Sequence, residues 1–511
     1  LGGFLCVGSL TRYFQDDRTM NRSLTILASA LLAAASRDAL AGNALRDPLV
    51  PERMMVRVAD EAALASLVSA ARATFDGVEV IDAIAGRPIH MLSYRLRRGQ
   101  TDETASAFCA AQVALGAAVW AELNYLGQSG EGRTDSFWLS QFDLDPGIFE
   151  SQYGGGVIGL PSSRGRSLGQ GTLIAVLDTG IDEQHPAFGG RVQSGGASFV
   201  AGAGTSDTPN GLDDDGDGLV DEQVGHGTFV AGLVHLVAPE AWILPVTVLN
   251  SDGVGDLWTI GKGIAFAIDR GADVINLSLG STYSSALLED VVHEADLKGI
   301  VVAAAMGNMA RTDPEEYPAG LTTALAVCAT DPVDGVATFS NFGPKADLCA
   351  PGTTLVAGGA IVTSQAVVGP VPGGRWAAWQ GTSFATAFAS GVAALVRAQH
   401  PEWPDATTPL AAIDDAIIES ITGASMPIDS INPGYEKLIG SGRLDASAAT
   451  ALAPAAPRFA DLNLDGRVSG GDLGILLGDF GLLPPLGSRS DLNRDGRVSG
   501  ADLGLLLGRW D

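Results

Sequence analysis

From residue 171 onward, short apolar runs alternate with stretches that carry one apolar and one polar face. "TLIAVLD", "AWILPVTVL", "ADVINLSLG", "IVVAAAMG" and "TTALAVCAT" are apolar on both faces and read as buried strands. "LWTIGKGIAFAIDRG" and "SSALLEDVVHEADLKG" read as helices between them, and further helices are predicted from Ser383 to about His400 and near 407–421. Strands buried on both faces and alternating with helices predict an α/β unit, a mostly parallel central sheet flanked by helices. Ahead of it, residues 42–130 predict a small α+β unit. Its strands are "MMVRV" and "HMLSYRL", its helices "DEAALASLVSAARATF" and "TASAFCAAQVALGAAV". Residues 131–164 read as a glycine-rich exposed connection, and 452–458 as an Ala/Pro linker. An internal repeat follows at 459–511.

Composition sharpens this division. A chain of 511 residues exceeds one ordinary core and predicts about two to four domains. Its 66 glycines imply many tight turns but follow no three-residue period. The net charge of −28, with lysine only at 262, 298, 345 and 437, argues against a nucleic-acid partner. "MNRSLTILASALLAAAS" from Met20, followed by "ALA" at 39–41, has the layout of a secretory signal peptide spanning 20–41. Residues 1–19 then read as upstream sequence. Secretion, to an extracellular or periplasmic location, is the expectation. No other stretch reaches the ~18 uninterrupted apolar residues of a membrane span. Secretion also permits a disulfide between Cys328 and Cys349, which lie in two strand-like runs; two buried free thiols remain the alternative.

Three stretches carry candidate chemistry. "IAVLDTGID" places Asp178 at the end of an apolar strand. "GHGTFVAG" places His226 at a helix start, and "GTSFATAFASG" does the same for Ser383. Strand ends of an open α/β sheet face the crevice where such folds bind ligands. A serine needs a histidine to take its proton, and the histidine needs a carboxylate to hold its tautomer. In "VVAAAMGN", Asn308 follows a strand, where its amide could donate to an oxyanion together with the Ser383 N–H. Each signal alone also has a bland reading, since a serine opening a helix caps it.

In the order Asp178, His226, Asn308, Ser383, these motifs resemble the subtilisin-like serine proteases over residues 165–451, and "ATFSNFGP", "DLCAPG" and "GSGRLDASAAT" resemble that family too. The resemblance implies a secreted serine endopeptidase acting on protein or peptide substrates. Asp178, His226 and Ser383 would be its triad and Asn308 its oxyanion donor. Ser278, Leu279 and Gly280 of "NLSLGS" would hold substrate as an extended strand. Residues 42–130, ending in "VWAELNY", resemble the family's propeptide, an intramolecular chaperone and inhibitor that makes the precursor a zymogen. The cut is expected within 131–164. The chain departs from the family pattern at three places: Phe229 for histidine, Phe384 for methionine, and Thr386-Ala387-Phe388 for Ala-Pro-His.

Two acidic patterns predict calcium. "NGLDDDGDGLVDE" offers Asp213, Asp215, Asp217 and Asp221 around tight glycine turns, a set suited to one hard cation. In the repeat, "DLNLDGRVSGGDLGILLG" returns as "DLNRDGRVSGADLGLLLG". Positions 1, 3, 5 and 12 are Asp461, Asn463, Asp465 and Asp472, then Asp491, Asn493, Asp495 and Asp502, with glycine at position 6 and a helix following. This small all-α, EF-hand-like unit resembles a dockerin module binding two calcium ions, with a cohesin-like protein as candidate partner. The competing reading of the chain is a catalytically silent or latent protease-shaped scaffold attached through that module.

Overall fold

The computed structural model describes residues 49–130, 144–313, 315–405, 408–451, 460, 462, 467–481, 490–493 and 497–510. The expected signal peptide and the 452–458 linker lie outside the described residues, as do Asp461, Asn463, Asp465 and Asp495.

The N-terminal α+β unit runs β1 (Leu49–Arg57), α1 (Glu61–Thr74), β2 (Asp76–Ala83), β3 (Ile89–Arg95), α2 (Asp102–Ala114) and β4 (Trp120–Ser129). All its strand pairs are antiparallel, and one apolar face packs beneath the helices around Met54, Leu67, Phe75, Leu92 and Phe108. The sequence pattern did not reveal β2, whose side chains are largely exposed, because it has no continuous apolar face.

The α/β unit follows with β5 (Leu173–Asp178), β6 (Ala197–Ser198), α3 (His226–Val237), β7 (Trp242–Thr247), β8 (Val254–Asp256) and α4 (Leu257–Asp269). Then come β9 (Val274–Leu277), β10 (Leu279–Gly280), α5 (Ala286–Leu297), β11 (Val301–Ala305), β12 (Leu325–Thr330) and β13 (Leu348–Pro351). A hairpin of β14 (Val367–Val371) and β15 (Arg375–Trp379) precedes α6 (Thr382–Ala398) and α7 (Ile413–Ala424). Seven strands form a parallel sheet in the order β13-β12-β11-β9-β5-β7-β6. Two apolar clusters cover its faces, one built on α3 and α6, the other on α4 and α5. Small residues let α3 and α6 pack closely; a Cβ on Gly391 would fall 2.5 Å from that of Val237. The run read as one strand, "ADVINLSLG", is broken at Ser278 into β9 and β10, which belong to different sheets.

Residues 144–164 differ from the exposed connection expected of them. They form short helices at Pro146–Ser151, Tyr153–Val157 and Leu160–Ser163, with Phe149, Ile158 and Leu160 buried in the larger core. Gly154 and Gly159 mark close packing. A Cβ on Gly154 would sit 2.8 Å from the Phe388 ring. Cys328 and Cys349, paired across β12 and β13, form a disulfide, while Cys109 is a buried free thiol. Two further helices, α8 (Gly470–Gly478) and α9 (Gly500–Leu507), form the C-terminal unit, sharing a small core of Leu462, Val468, Leu476, Leu492, Val498 and Leu506. The indole of Trp242 donates to Leu492 O at 2.7 Å, fastening this unit beside the sheet edge. Among the described residues no helix is long and apolar enough to cross a membrane.

Asp414, in the first turn of α7, is buried against Asp296 in the last turn of α5. Burial, with Asp296 and Asp415 beside it, holds its carboxyl well above the usual carboxylate range. The unfolded chain ionises this group near pH 4 while the fold keeps its proton. Stability from this site is therefore lost as pH rises from about 4 through the raised value. Asp414→Asn is expected to raise the melting temperature at pH 9 and leave it nearly unchanged at pH 4. An equal shift at both pH values would show that ionisation is not the cause.

Candidate active site

The C-terminal ends of the parallel strands and the N-termini of α3 and α6 meet at one place. Asp178 ends β5, and its Oδ1 lies 2.7 Å from His226 Nδ1, the first residue of α3; both side chains are fully buried. The same Oδ1 accepts the Thr179 N–H at 2.8 Å. His226 can start its helix there because Gly225 takes a φ of +100° at the N-cap, a conformation natural to glycine.

Asp207, which sequence reasoning missed, organises that helix start. It accepts from Gly225 N at 2.9 Å, Thr228 N at 3.1 Å, Thr228 Oγ1 at 2.7 Å and Thr179 Oγ1 at 3.2 Å. Desolvation raises its pKa to about 6 against these hydrogen bonds, with the Asp178 charge adding to the rise. Nothing in "TSDTPN" signals this role; it arises only when a buried helix N-terminus needs an acceptor.

Ser383 is the second residue of α6, with Gly381 as N-cap, and its Oγ donates to Ser278 O at 3.2 Å. Ser278 Oγ donates in turn to Ser383 O at 2.9 Å and accepts from Asn276 Nδ2, while Asn276 Oδ1 accepts from Ser390 Oγ. This buried chain ties β9 to α6. Asn308 is held by its oxygen, which accepts from Thr382 N and Thr382 Oγ1, both at 2.9 Å. Its Nδ2 consequently turns toward Gly130, where a Cβ would lie 2.9 Å away.

The departures at 229 and 384 pack together. Phe229 and Phe384 are 4.6 Å apart between centroids, and Trp379 joins both. The His226 ring stands edge-on to Trp379 at 5.4 Å and tilted to Phe384 at 5.6 Å. An apolar wall thus flanks the imidazole, with Phe229 standing where the family pattern has a histidine.

The cleft between β8 and β10 is filled by β4. Leu126, Gly127 and Gln128 pair antiparallel with Asp256, Gly255 and Val254, while Gln128 and Ser129 pair with Gly280 and Leu279. Gly130 then lies beside Ser278 in sequence register and against Asn308. Leu279 and Gly280 therefore bind an extended strand, and Val254–Asp256, absent from the sequence reading, form the opposite edge.

The acidic loop brings some of its predicted residues together. Carboxylate oxygens of Asp213, Asp215 and Asp252 lie within 4.8 Å of one another, as do those of Asp215, Asp217 and Glu222. Asp221 points elsewhere, accepting from Asn210 N at 2.7 Å and Gly211 N at 3.0 Å. Asp252 and Glu222 were missed, the first because it reaches the loop from another segment. Burial and the Asp252, Asp215 and Asp217 charges push Glu222 up to about 7, and Asp215 also rises. So concentrated a set of oxygen donors fits a hard divalent cation. In the C-terminal unit, Asp472 and Asp502 are fully buried at equivalent places. Each accepts from the backbone of its own loop, Asp472 from Leu462 N and Ser469 N, Asp502 from Asn493 N and Ser499 N. Asp491 and Asn493 are the other described members of that set.

The subtilase family model (Peptidase_S8) matches residues 169–442. The chain belongs to the subtilase family. Thermitase from Thermoactinomyces vulgaris is 36% identical over 255 residues, half of this chain and 85% of that one. Subtilisin BL from Lederbergia lenta is 36% identical over 300 residues, 57% of this chain and 95% of that one. Among solved structures, fervidolysin from Fervidobacterium pennivorans shares the fold at a TM-score of 0.60 and 21% identity, covering 80% of this chain and 62% of that one. This subtilase is a serine endopeptidase of subtilisin-like α/β fold, as its relatives and family model establish.

Phe229→Ala in this subtilase would leave a cavity beside Phe384 and Trp379, the two rings that flank the imidazole. It is expected to lower unfolding free energy by about 3–5 kcal/mol. Denaturant titration reads this directly, and a loss below about 1 kcal/mol would contradict the supporting role.

Proposed function

We propose that this subtilase is a secreted, calcium-dependent endopeptidase made as a self-inhibited precursor, with Asp178, His226 and Ser383 as triad. The hydrogen bond between buried Asp178 and His226, with Ser383 heading the adjacent helix, carries the reading. Ser383 Oγ attacks the scissile carbonyl carbon, and its proton passes to His226. Asp178 holds the Nδ1–H tautomer and offsets the imidazolium charge. The tetrahedral oxyanion is met by Asn308 Nδ2 and the Ser383 N–H, neutral dipoles already aimed by Thr382 and the helix start. The C–N bond breaks as His226 returns the proton to the leaving amine. Water then attacks the acyl-enzyme, giving its proton to His226, and as the bond to Ser383 Oγ breaks His226 returns that proton to Oγ, freeing the new acid.

Residues 42–130 serve as the propeptide. Beyond the β4 ladder, Glu122 reaches across as a buried cap on α5, accepting from Ser285 Oγ at 2.7 Å, Leu287 N at 2.9 Å and Ala286 N at 3.0 Å. Arg87 bridges Asp269 and Glu294 at 3.1 and 2.7 Å, and Lys262 meets Asp82 at 2.7 Å. With β4 seated as a substrate strand and Gly130 lying against Asn308, the maturation cut would fall after Gly130, between Gly130 and Glu131. Matured protein should label at Ser383 with a fluorophosphonate probe. Ser383→Ala should remain unlabelled and uncut, and wild type should show a new N-terminus at Glu131. A folded, matured wild type that takes no label would favour the silent scaffold instead.

Calcium would be held by Asp213, Asp215, Asp217, Asp252 and Glu222, and in the C-terminal unit by the two sets ending at Asp472 and Asp502. There it would neutralise clustered carboxylates and stabilise the fold. That unit serves as the dockerin-like attachment module, with a cohesin-like protein as candidate partner. Saturating one site at about 100 times its Kd adds ~2.7 kcal/mol of stability. Asp252→Asn is therefore expected to lower the melting temperature in millimolar calcium and to leave it unchanged or raise it in chelator. A fall of the same size in both would remove calcium from the account of this loop.

A further inference from the structure

We propose that Glu316 closes the pocket that receives the side chain before the scissile bond, so that this protease cuts after glycine first and alanine next. The inference rests on the reading of β4 as a substrate strand. The pocket beyond that strand is lined by Gly130, Leu279, Gly280, Ala305, Gly307 and Glu316, and its volume is about 10 Å³, room for about one water.

Glu316 fills the space that an apolar side chain would need. A Cβ on Gly280 would come 3.1 Å from its Oε2, and one on Gly307 would come 2.9 Å from its Cγ. The carboxylate therefore lies against both glycine walls. Its backbone cannot easily retreat, because Gly320 N donates to Glu316 O at 2.7 Å and the adjoining Tyr317 exchanges hydrogen bonds with Ser281 at 2.7 and 2.9 Å. On the substrate side, a Cβ at Gly130 would meet Asn308 Nδ2 at 2.9 Å and Gly307 Cα at 3.7 Å. Glycine fits as placed, alanine needs a small shift, and longer chains collide.

A carboxylate in such a pocket suggests lysine or arginine as the alternative guest, but its charge is already answered. Arg311 Nη2 lies 3.3 Å from Glu316 Oε1, with both side chains largely buried. Turning Glu316 toward a substrate cation would strip a buried guanidinium of its counter-charge, a costly exchange. The pair acts as a plug.

The test uses matured protein produced from the full chain and internally quenched peptides carrying Leu-Gly-Gln-Ser-X-Glu-Gly-Arg, where X is Gly, Ala, Phe or Lys, with cleavage mapped by mass spectrometry. Gly and Ala peptides should exceed Phe and Lys in kcat/KM by about 10- to 200-fold, the range one or more misfitting carbons produce. Glu316→Ala should open the pocket and raise Phe cleavage about tenfold or more. Glu316→Gln, which keeps the bulk without the charge, should keep the Gly and Ala preference. Wild type preferring Phe would overturn the plug, and wild type preferring Lys would show the carboxylate serving a cation instead. Fluorophosphonate labelling of Ser383 in the same wild-type preparation separates these results from failure of the endopeptidase reading, which predicts labelling whatever the peptide preference.

Discussion

A parallel sheet buried on both faces leaves its polar chemistry one outlet, the ends of its strands, and in this protein everything of consequence crowds there. The short Asp178–His226 hydrogen bond is the central instance. Two ionisable groups are withdrawn from water, and each is tolerable only because the other is present. Around it the structure supplies further acceptors and donors in fixed positions. Asp207 satisfies the helix start beneath His226, and Thr382 fixes the Asn308 amide. The cost of desolvating this region is offset by the apolar mass of α3 and α6 packed through small residues.

That economy explains how the site accommodates substitutions at 229 and 384. A polar residue at either place would need a partner in a region that has little water. Two phenylalanines bring no such demand, and with Trp379 they give the imidazole a rigid flank.

The proposed triad residues were legible because each lies in a local motif whose chemistry is set by its immediate neighbours: a carboxylate ending an apolar run, a histidine or serine opening a small-residue helix. The sheet was legible for the same reason, since burial on both faces writes itself into consecutive residues. What the sequence left out depends on register between distant segments. Nothing near Gln128 announces that it pairs with both Val254 and Gly280. Asp252 joins the acidic loop from a separate turn, and Asp221, inside that loop, turns to Asn210 and Gly211 instead. Residues 144–164 misled in the opposite sense. Their glycines suggested exposure, whereas Gly154 approaches Phe388 and Gly159 approaches Ser447 too closely for a side chain.

The way the N-terminal unit is fastened has a kinetic meaning. Severing the chain beyond β4 breaks one covalent bond but none of the ladder to β8 and β10, nor the Glu122 cap, nor the Arg87 bridges. Arg87 is largely buried, but its partners Asp269 and Glu294 stay partly exposed, so dissolved ions screen these pairings in part while leaving the β4 ladder intact. On the proposed maturation, cutting and letting go would be separate events with separate barriers. A population of such molecules would switch on after a delay set by how fast the severed piece unfolds or is itself digested, and the first freed copies would shorten the wait for the rest.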